Sequence, residues 1–231
     1  MHQNLNGLLS KLSAIQLMID SISNNVDLFG ITVSHLTPSI NDSELQITNY
    51  NLIRRDRELG QGGGVCVYIR NDLNYQRRHD LECKNIEHIW LEIFITHSKP
   101  ILVCFLYRPP DTSKYLPINF NSELDNMLSI TLSENKETLI AGDLNCDYAK
   151  IDCSKDLKDV LKLYNFKQVI SKPTRITRIS SSLIDIIATT HNEHITKSFV
   201  FPNSISDHDL IGIIRRINCK NFTPRKILAR S

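Results

Sequence analysis

"LIAGDLNCDY", residues 139–148, runs from apolar residues into Gly142 and then Asp143, Leu144, Asn145, Cys146 and Asp147. Its apolar part, with Thr138 before it, reads as a buried strand over 138–142. Burying polar groups is costly unless they are paired. A buried strand that ends in two carboxylates and an amide therefore implies something there that needs them. An Asp–Asn turn capping the next segment is the plain alternative.

Working outward, the chain repeats the pattern of buried strands with polar ends. "VDLFGIT" (26–32) reads as a short buried strand, and "GGGVCVYIR" (62–70) as a glycine turn entering another. "IEHIWLEIFI" (86–95) sets Ile89, Leu91, Ile93 and Ile95 on one face with period two. "ILVCFLY" (101–107) is stopped by "RPP", which cannot continue a ladder. Further strands are expected at 182–190, 198–201 and 210–217. Helices are expected at 8–22, where Leu8, Leu12, Ile15, Ile19 and Ile22 form one stripe, at 118–132 and at 155–164. The alternation predicts a mixed α/β fold with two sheets packed together. One domain over 1–218 is expected, its first strand cut short before the first helix, with a polar basic tail over 219–231 reading as the start of a linker.

Bulk properties narrow the function less than the motifs do. The 231 residues are 41% apolar and 23% charged, with a net charge of +2, so no global field advertises nucleic acid. Basic clusters at Arg54–Arg57, Arg77–Arg78, Lys172–Arg178 and Arg215–Arg225 leave room for a local basic groove. Six cysteines show no CxxC and no repeating spacing, which points away from a disulfide framework. "HNEH" (191–194) lacks a second pair of ligands and reads as surface loop rather than zinc site. No apolar stretch approaches membrane-spanning length, and the N-terminus lacks the apolar core of a signal peptide. "GQGGGV" (60–65) leads into a strand rather than a helix and so does not fit a dinucleotide fingerprint.

Four strand ends carry candidate chemistry: Tyr107–Arg108, Asp143–Asn145, Asp185 within "SLIDII", and "SDHD" (206–209). Carboxylate oxygens with few imidazole or thiolate partners suit Mg²⁺ or Mn²⁺, and Mg²⁺ completes its shell with water and phosphate oxygens. The residues alone point to hydrolysis of a phosphate ester.

In sequence order, "NLNGLLSK", "DLFGIT", "GGGVCVYIR", "LYRPP", "LIAGDLNCDY", "SSLIDII" and "SDHDLI" resemble the endonuclease domain of LINE-type (non-LTR) retrotransposons. That domain is a member of the endonuclease/exonuclease/phosphatase superfamily, and the resemblance runs from about residue 2 to 217. It implies a four-layer sandwich of two packed mixed β-sheets flanked by α-helices. It also implies site roles: Asn4 near the metal and phosphate, Tyr107 on the scissile phosphate, Asp143 on the attacking water, and Asn145 on a phosphate oxygen. Asp185 would orient His208, His208 would stabilise charge or transfer a proton, and Asp207 would assist with metal. Metal contacts are thus expected from Asn4, Asp143 and Asp207, and substrate contacts from Asn4, Tyr107, Arg108, Asn145 and Ser206. The implied partner is DNA, nicked with Mg²⁺ (or Mn²⁺), with a reverse transcriptase domain downstream that residues 1–231 do not include. A nuclear location is expected on the same ground. Asp147 has no role in the motif and reads as structural.

One ligand of the motif is missing. Asp27, Gly30, Thr32 and Leu36 fix the register, which places Val33 where the family's metal-binding glutamate stands and His35 where its tryptophan stands. Valine offers nothing to a hard cation, so activity is expected to be impaired. Rescue by Ser34, His35, Glu44 or Glu58 is not expected. The competing readings are a non-catalytic nucleic-acid-binding remnant, a phosphoesterase of small or lipid phosphates on the same fold, and a product with no selected role.

Overall fold

The computed structural model describes residues 1–22, 26–58, 60 and 62–217, without the side chains of residues 152 and 153. The basic tail expected over 219–231 lies outside the described residues.

In chain order the strands are β1 (His2–Asn4), β2 (Leu28–Thr32), β3 (Tyr50–Arg55), β4 (Val65–Arg70), β5 (Asn74–Arg77), β6 (Glu87–Phe94) and β7 (Ile101–Tyr107). They continue as β8 (Glu137–Asp143), β9 (Lys167–Gln168), β10 (Arg175–Ile176), β11 (Ser181–Ser182), β12 (Asp185–Thr189), β13 (Ile195–Phe201) and β14 (Leu210–Arg215). Among the described residues three α-helices accompany them: α1 (Leu12–Ser21), α2 (Phe120–Ser133) and α3 (Ile151–Leu163). One six-stranded sheet has the order β13-β14-β1-β2-β4-β3, and the other β5-β6-β7-β8-β12-β9. Each is mixed: β1 runs parallel to β2 and antiparallel to β14, while β7 runs parallel to β8 and β8 antiparallel to β12.

Three apolar layers hold four layers of structure together. Ile15 and Ile19 of α1 pack on Phe29, Ile31 and Tyr68 of the first sheet. Val65, Val67, Ile89, Leu91, Val103 and Phe105 fill the space between the sheets. Trp90, Leu102, Leu106 and Ile186 lie under Leu124 and Leu128 of α2 and Leu157 and Leu161 of α3. Strands buried on both faces cannot alternate apolar with polar, which is why 101–107 reads as a continuous apolar run. The sheets meet so closely at Gly30 that a Cβ there would lie 1.8 Å from the Phe105 ring. Buried Cys66 and Cys104 belong to these layers as small apolar side chains.

Several expected elements shift. The helix expected over 8–22 starts as a 3₁₀ turn, Leu9–Lys11, before α1. The strand expected over 182–190 divides into β11, which pairs with β10 as a small hairpin, and β12. The glycine turn forms as expected, with Gly62, Gly63 and Gly64 all at positive φ, a conformation open to glycine at no steric cost. β1, expected to be cut short, is three buried residues between β14 and β2. Among the described residues no helix is long and apolar enough to cross a membrane.

Candidate active site

Sheet register builds the site. Tyr107 pairs with Asp143 across β7 and β8, and Asp143 pairs with Asp185 across β8 and β12. Three strands thus present a phenol and two carboxylates in one row at one sheet edge. The other sheet supplies the facing groups. Asn4, at the end of β1, donates its Nδ2 to Asp143 Oδ2 at 2.7 Å. His208, just before β14, places Nδ1 2.8 Å from Asp185 Oδ2. The site therefore straddles the two sheets, and Asp143, Asp185 and His208 are all buried.

Asp143 is held on both oxygens. Besides Asn4, it accepts the Asn145 backbone N–H on Oδ1 at 2.9 Å and the Asn145 amide on Oδ2 at 3.2 Å. Asn145 takes a left-handed turn, φ 47°, which folds its side chain back over the strand end and also lets it donate to the Arg108 carbonyl at 3.0 Å. Complete burial, and then the charge of Asp185, push the Asp143 carboxyl up to about 7 despite these donors.

Burial works against a charged His208 ring, but the hydrogen bond and charge of Asp185, with Asp143 and Asp207 behind it, hold the imidazole above its ordinary value. Burial and the charge of Asp143 push the Tyr107 phenol up to about 12, so it is a neutral donor at ordinary pH. The arrangement thus offers a carboxyl that titrates near pH 7, an imidazole fixed and held toward its charged form by a carboxylate, and a phenolic hydroxyl. These are the groups needed to move a proton and stabilise charge at an ester of phosphoric acid.

Not every expected residue joins them. Asp207, expected to assist with metal, is instead half-exposed and accepts two hydrogen bonds from the Arg175 guanidinium at 2.8 and 3.0 Å. Arg175 lies in β10 and bridges the His208 backbone, which draws the neighbouring carboxylate outward. Arg108 pairs with Asp111 at 2.5 Å and gives the site its backbone carbonyl rather than its guanidinium. Ser206 is partly exposed, and its Oγ accepts the His208 N–H at 3.3 Å. Asp147 is structural, its Oδ1 accepting the Leu183 and Ala149 N–H groups.

Other contributors left no sequence signal. Thr174 donates its hydroxyl to Asp185 Oδ2 at 2.7 Å and accepts the Asp185 N–H at 3.0 Å, yet it sits in an undistinguished "KPTRIT". The Arg57–Glu87 ion pair at 2.6 Å stands beside Tyr107, with the guanidinium 6.0 Å from the Tyr107 ring centre and 4.3 Å from that of Tyr115.

Asp143, Asp185 and His208 can bring one ligand atom each within 4.8 Å of one another, so an acidic cluster of metal-binding type exists. Its chemistry does not fit a resident Mg²⁺. The Asp185 carboxylate already holds the His208 imidazole, both Asp143 oxygens already accept amide hydrogens, and the Asn4 Oδ1 accepts the Asn6 N–H at 3.0 Å. Position 33, at the end of β2, gives a buried valine that joins the apolar layer between the sheets. Its φ of 55° is a left-handed conformation that a β-branched residue rarely takes. The four groups weighed as substitutes for the expected carboxylate are otherwise placed: Glu44 closes a capping box with Asn41, Glu58 and His35 are exposed, and Ser34 Oγ is buried beside Gly64.

Residues 101–212 match the family model described as endonuclease-reverse transcriptase. No curated protein matches the chain. Among solved structures, the endonuclease domain of TRAS1, a telomere-specific non-LTR retrotransposon, is 15% identical with a TM-score of 0.71, covering 94% of this chain and 98% of that one. The 3′-5′ exonuclease NExo of Neisseria meningitidis is 13% identical with a TM-score of 0.68, covering 93% and 98%. An AP endonuclease from Archaeoglobus fulgidus is 13% identical with a TM-score of 0.64, covering 94% and 98%. The chain has the fold of the endonuclease/exonuclease/phosphatase superfamily, shared with the endonuclease domain of a non-LTR retrotransposon, and about half of it matches the endonuclease-reverse transcriptase family model.

Proposed function

We propose that this domain binds DNA phosphodiesters at the Tyr107–Asp143–Asp185 edge and is built to nick one strand, with cleavage impaired in this chain by Val33. The observation that carries the reading is the cross-sheet constellation itself: Asn4 on Asp143, and His208 on Asp185, converging from two sheets on one row of strand ends. Asp143, with its pKa near 7, would take a proton from the attacking water. Asn145 and the neutral Tyr107 hydroxyl would hold phosphate oxygens, and His208, fixed by Asp185, would stabilise the charge that develops on the phosphoryl group. Asn4 would orient Asp143. Mg²⁺ or Mn²⁺ dependence belongs to the same reading, as does the loss that follows from an apolar group at position 33.

The test is nicking of supercoiled plasmid in Mg²⁺ and in Mn²⁺ by the unmodified chain, Val33→Glu and Val33→Glu/Asp143→Ala. Nicking by Val33→Glu alone supports the reading. Nicking by the unmodified chain that depends on Asp143 would show that another group replaces the carboxylate. A second reading, binding without cleavage, is favoured by Val33 and by the partly exposed Arg175, paired with Asp207, beside His208. It expects affinity that falls steeply with salt, because phosphate contacts release counterions.

A further inference from the structure

His2 has no part in the reading above, yet it lies directly behind the site. It sits on β1 with no exposed surface. Its Nε2 is 3.1 Å from Thr32 Oγ1, and its Nδ1 is 3.8 Å from Asp185 Oδ1. Among the described residues neither that nitrogen nor that oxygen has a hydrogen-bond partner. The other oxygen of Asp185 is fully used, by His208 and Thr174. An unpaired buried donor facing an unpaired buried acceptor leaves two desolvation costs that one hydrogen between them removes. Only one tautomer serves both neighbours: Nδ1 carries the hydrogen toward Asp185, and Nε2 accepts the Thr32 hydroxyl.

We propose that His2 is a positioning residue: its Nδ1–H holds the second oxygen of Asp185, so that a buried chain Thr32–His2–Asp185–His208 fixes the His208 imidazole from behind. A carboxylate gripped on both oxygens cannot turn about its own bond, whereas one gripped on a single oxygen can trade it for the other. His2 therefore sets the orientation of a ring it does not touch. The assignment of His208 to phosphoryl chemistry rests on the function proposed above; the hydrogen-bonded chain does not. Burial pushes the His2 pKa down to about 4, in keeping with a neutral ring that donates through one nitrogen and accepts through the other.

The first measurement is the histidine-ring ¹⁵N–¹H spectrum of the unmodified chain, without nucleic acid. A His2 ring protonated on Nδ1 is expected; an Nε2-protonated ring would overturn the proposal. Next come His2→Leu, which keeps bulk without a donor, and His2→Asn, whose amide offers a donor near Nδ1. The His208 Nδ1–H should exchange about tenfold faster in His2→Leu and recover in His2→Asn, and on the Val33→Glu background kcat should fall about tenfold with KM unchanged. Unaltered His208 exchange in a folded His2→Leu sinks the idea. Should His2→Leu fail to fold, Thr32→Val removes the donor to Nε2 and must change the His2 ring signals; unchanged signals overturn the chain equally. The spectra are read without substrate, so absence of nicking in every variant would count against the nuclease reading alone.

Discussion

Replacing Val33 with glutamate is the perturbation that separates a metal-poor site from a metal site. The side chain at position 33 is 8% exposed and belongs to the apolar layer that includes Tyr107, whose partner across β7 and β8 is the fully buried Asp143. A third carboxylate there, ~6 Å from a second one at an effective dielectric near 20, adds roughly 3 kcal/mol of repulsion. Without metal, Val33→Glu should therefore be less stable than the unmodified chain by about that amount, or by ~6–12 °C in Tm for a domain of this size. Mg²⁺ at about a hundred times its Kd returns roughly 2.7 kcal/mol by mass action. The assay is thermal unfolding of both proteins from zero to 10 mM Mg²⁺. Val33→Glu should climb by ~5–10 °C and the unmodified chain by less than ~1 °C. A large rise in the unmodified chain, abolished by Asp143→Ala, would refute the argument that the present donors do not suit the cation. No response in Val33→Glu would refute the placement of position 33 at the site.

The remaining expectations follow from particular contacts. Asp185→Asn removes the charge that holds His208, so on the Val33→Glu background kcat should fall by at least ~10²-fold with the fold intact; single-turnover nicking measures it, and a change confined to KM would argue for binding instead. Gly30→Ala drives a methyl into the Phe105 ring and should cost ~2–3 kcal/mol in urea unfolding, with part recovered by adding Phe105→Leu; a neutral outcome would contradict the close approach of the sheets. His88 is buried and neutral, its Nδ1 2.8 Å from the Ile86 carbonyl and its Nε2 accepting the Cys83 N–H, and burial with Arg55 nearby lowers its pKa to about 4. The unfolded chain then binds a proton between about pH 6.5 and 4 that the folded chain refuses, so stability is full above pH 6.5 and falls by ~2 kcal/mol at pH 5. Urea unfolding at pH 7.5 and 5.0 checks this, and His88→Gln should flatten that part of the profile. Asp207→Ala should leave the Mg²⁺ response of Val33→Glu unchanged, because Arg175 holds that carboxylate outside the cluster; loss of the response would restore Asp207 as a ligand.

The strands that were hard to read in the sequence share a physical cause. β3 and β5 each sit at the rim of a sheet, where one side of the ladder faces no partner. Their residues are mostly half-buried or exposed, so "YNLIRR" and "NYQR" carry no apolar run and no clean alternation. Central strands such as β7 and β8 are covered on both faces and announce themselves as unbroken apolar stretches. The hairpin of β10 and β11 went unread for another reason: two-residue strands hold too little pattern to detect.

What the sequence settled by itself was the inventory: the central strands, the helical stripes and the polar strand ends. These are local properties, written in spacing and residue type. Tertiary structure alone decided which of those groups meet. Asp207 and His208 are adjacent in sequence, yet pairing with Arg175 takes one to solvent while Asp185 takes the other into the site. His2 and Thr174 looked like filler until two sheets closed around Asp185, which put the Thr174 hydroxyl in a hydrogen bond to one carboxylate oxygen and the His2 ring 3.8 Å from the other. Register along a strand is a short-range matter that side-chain period fixes, whereas contact across two packed sheets depends on how every layer beneath them fills space.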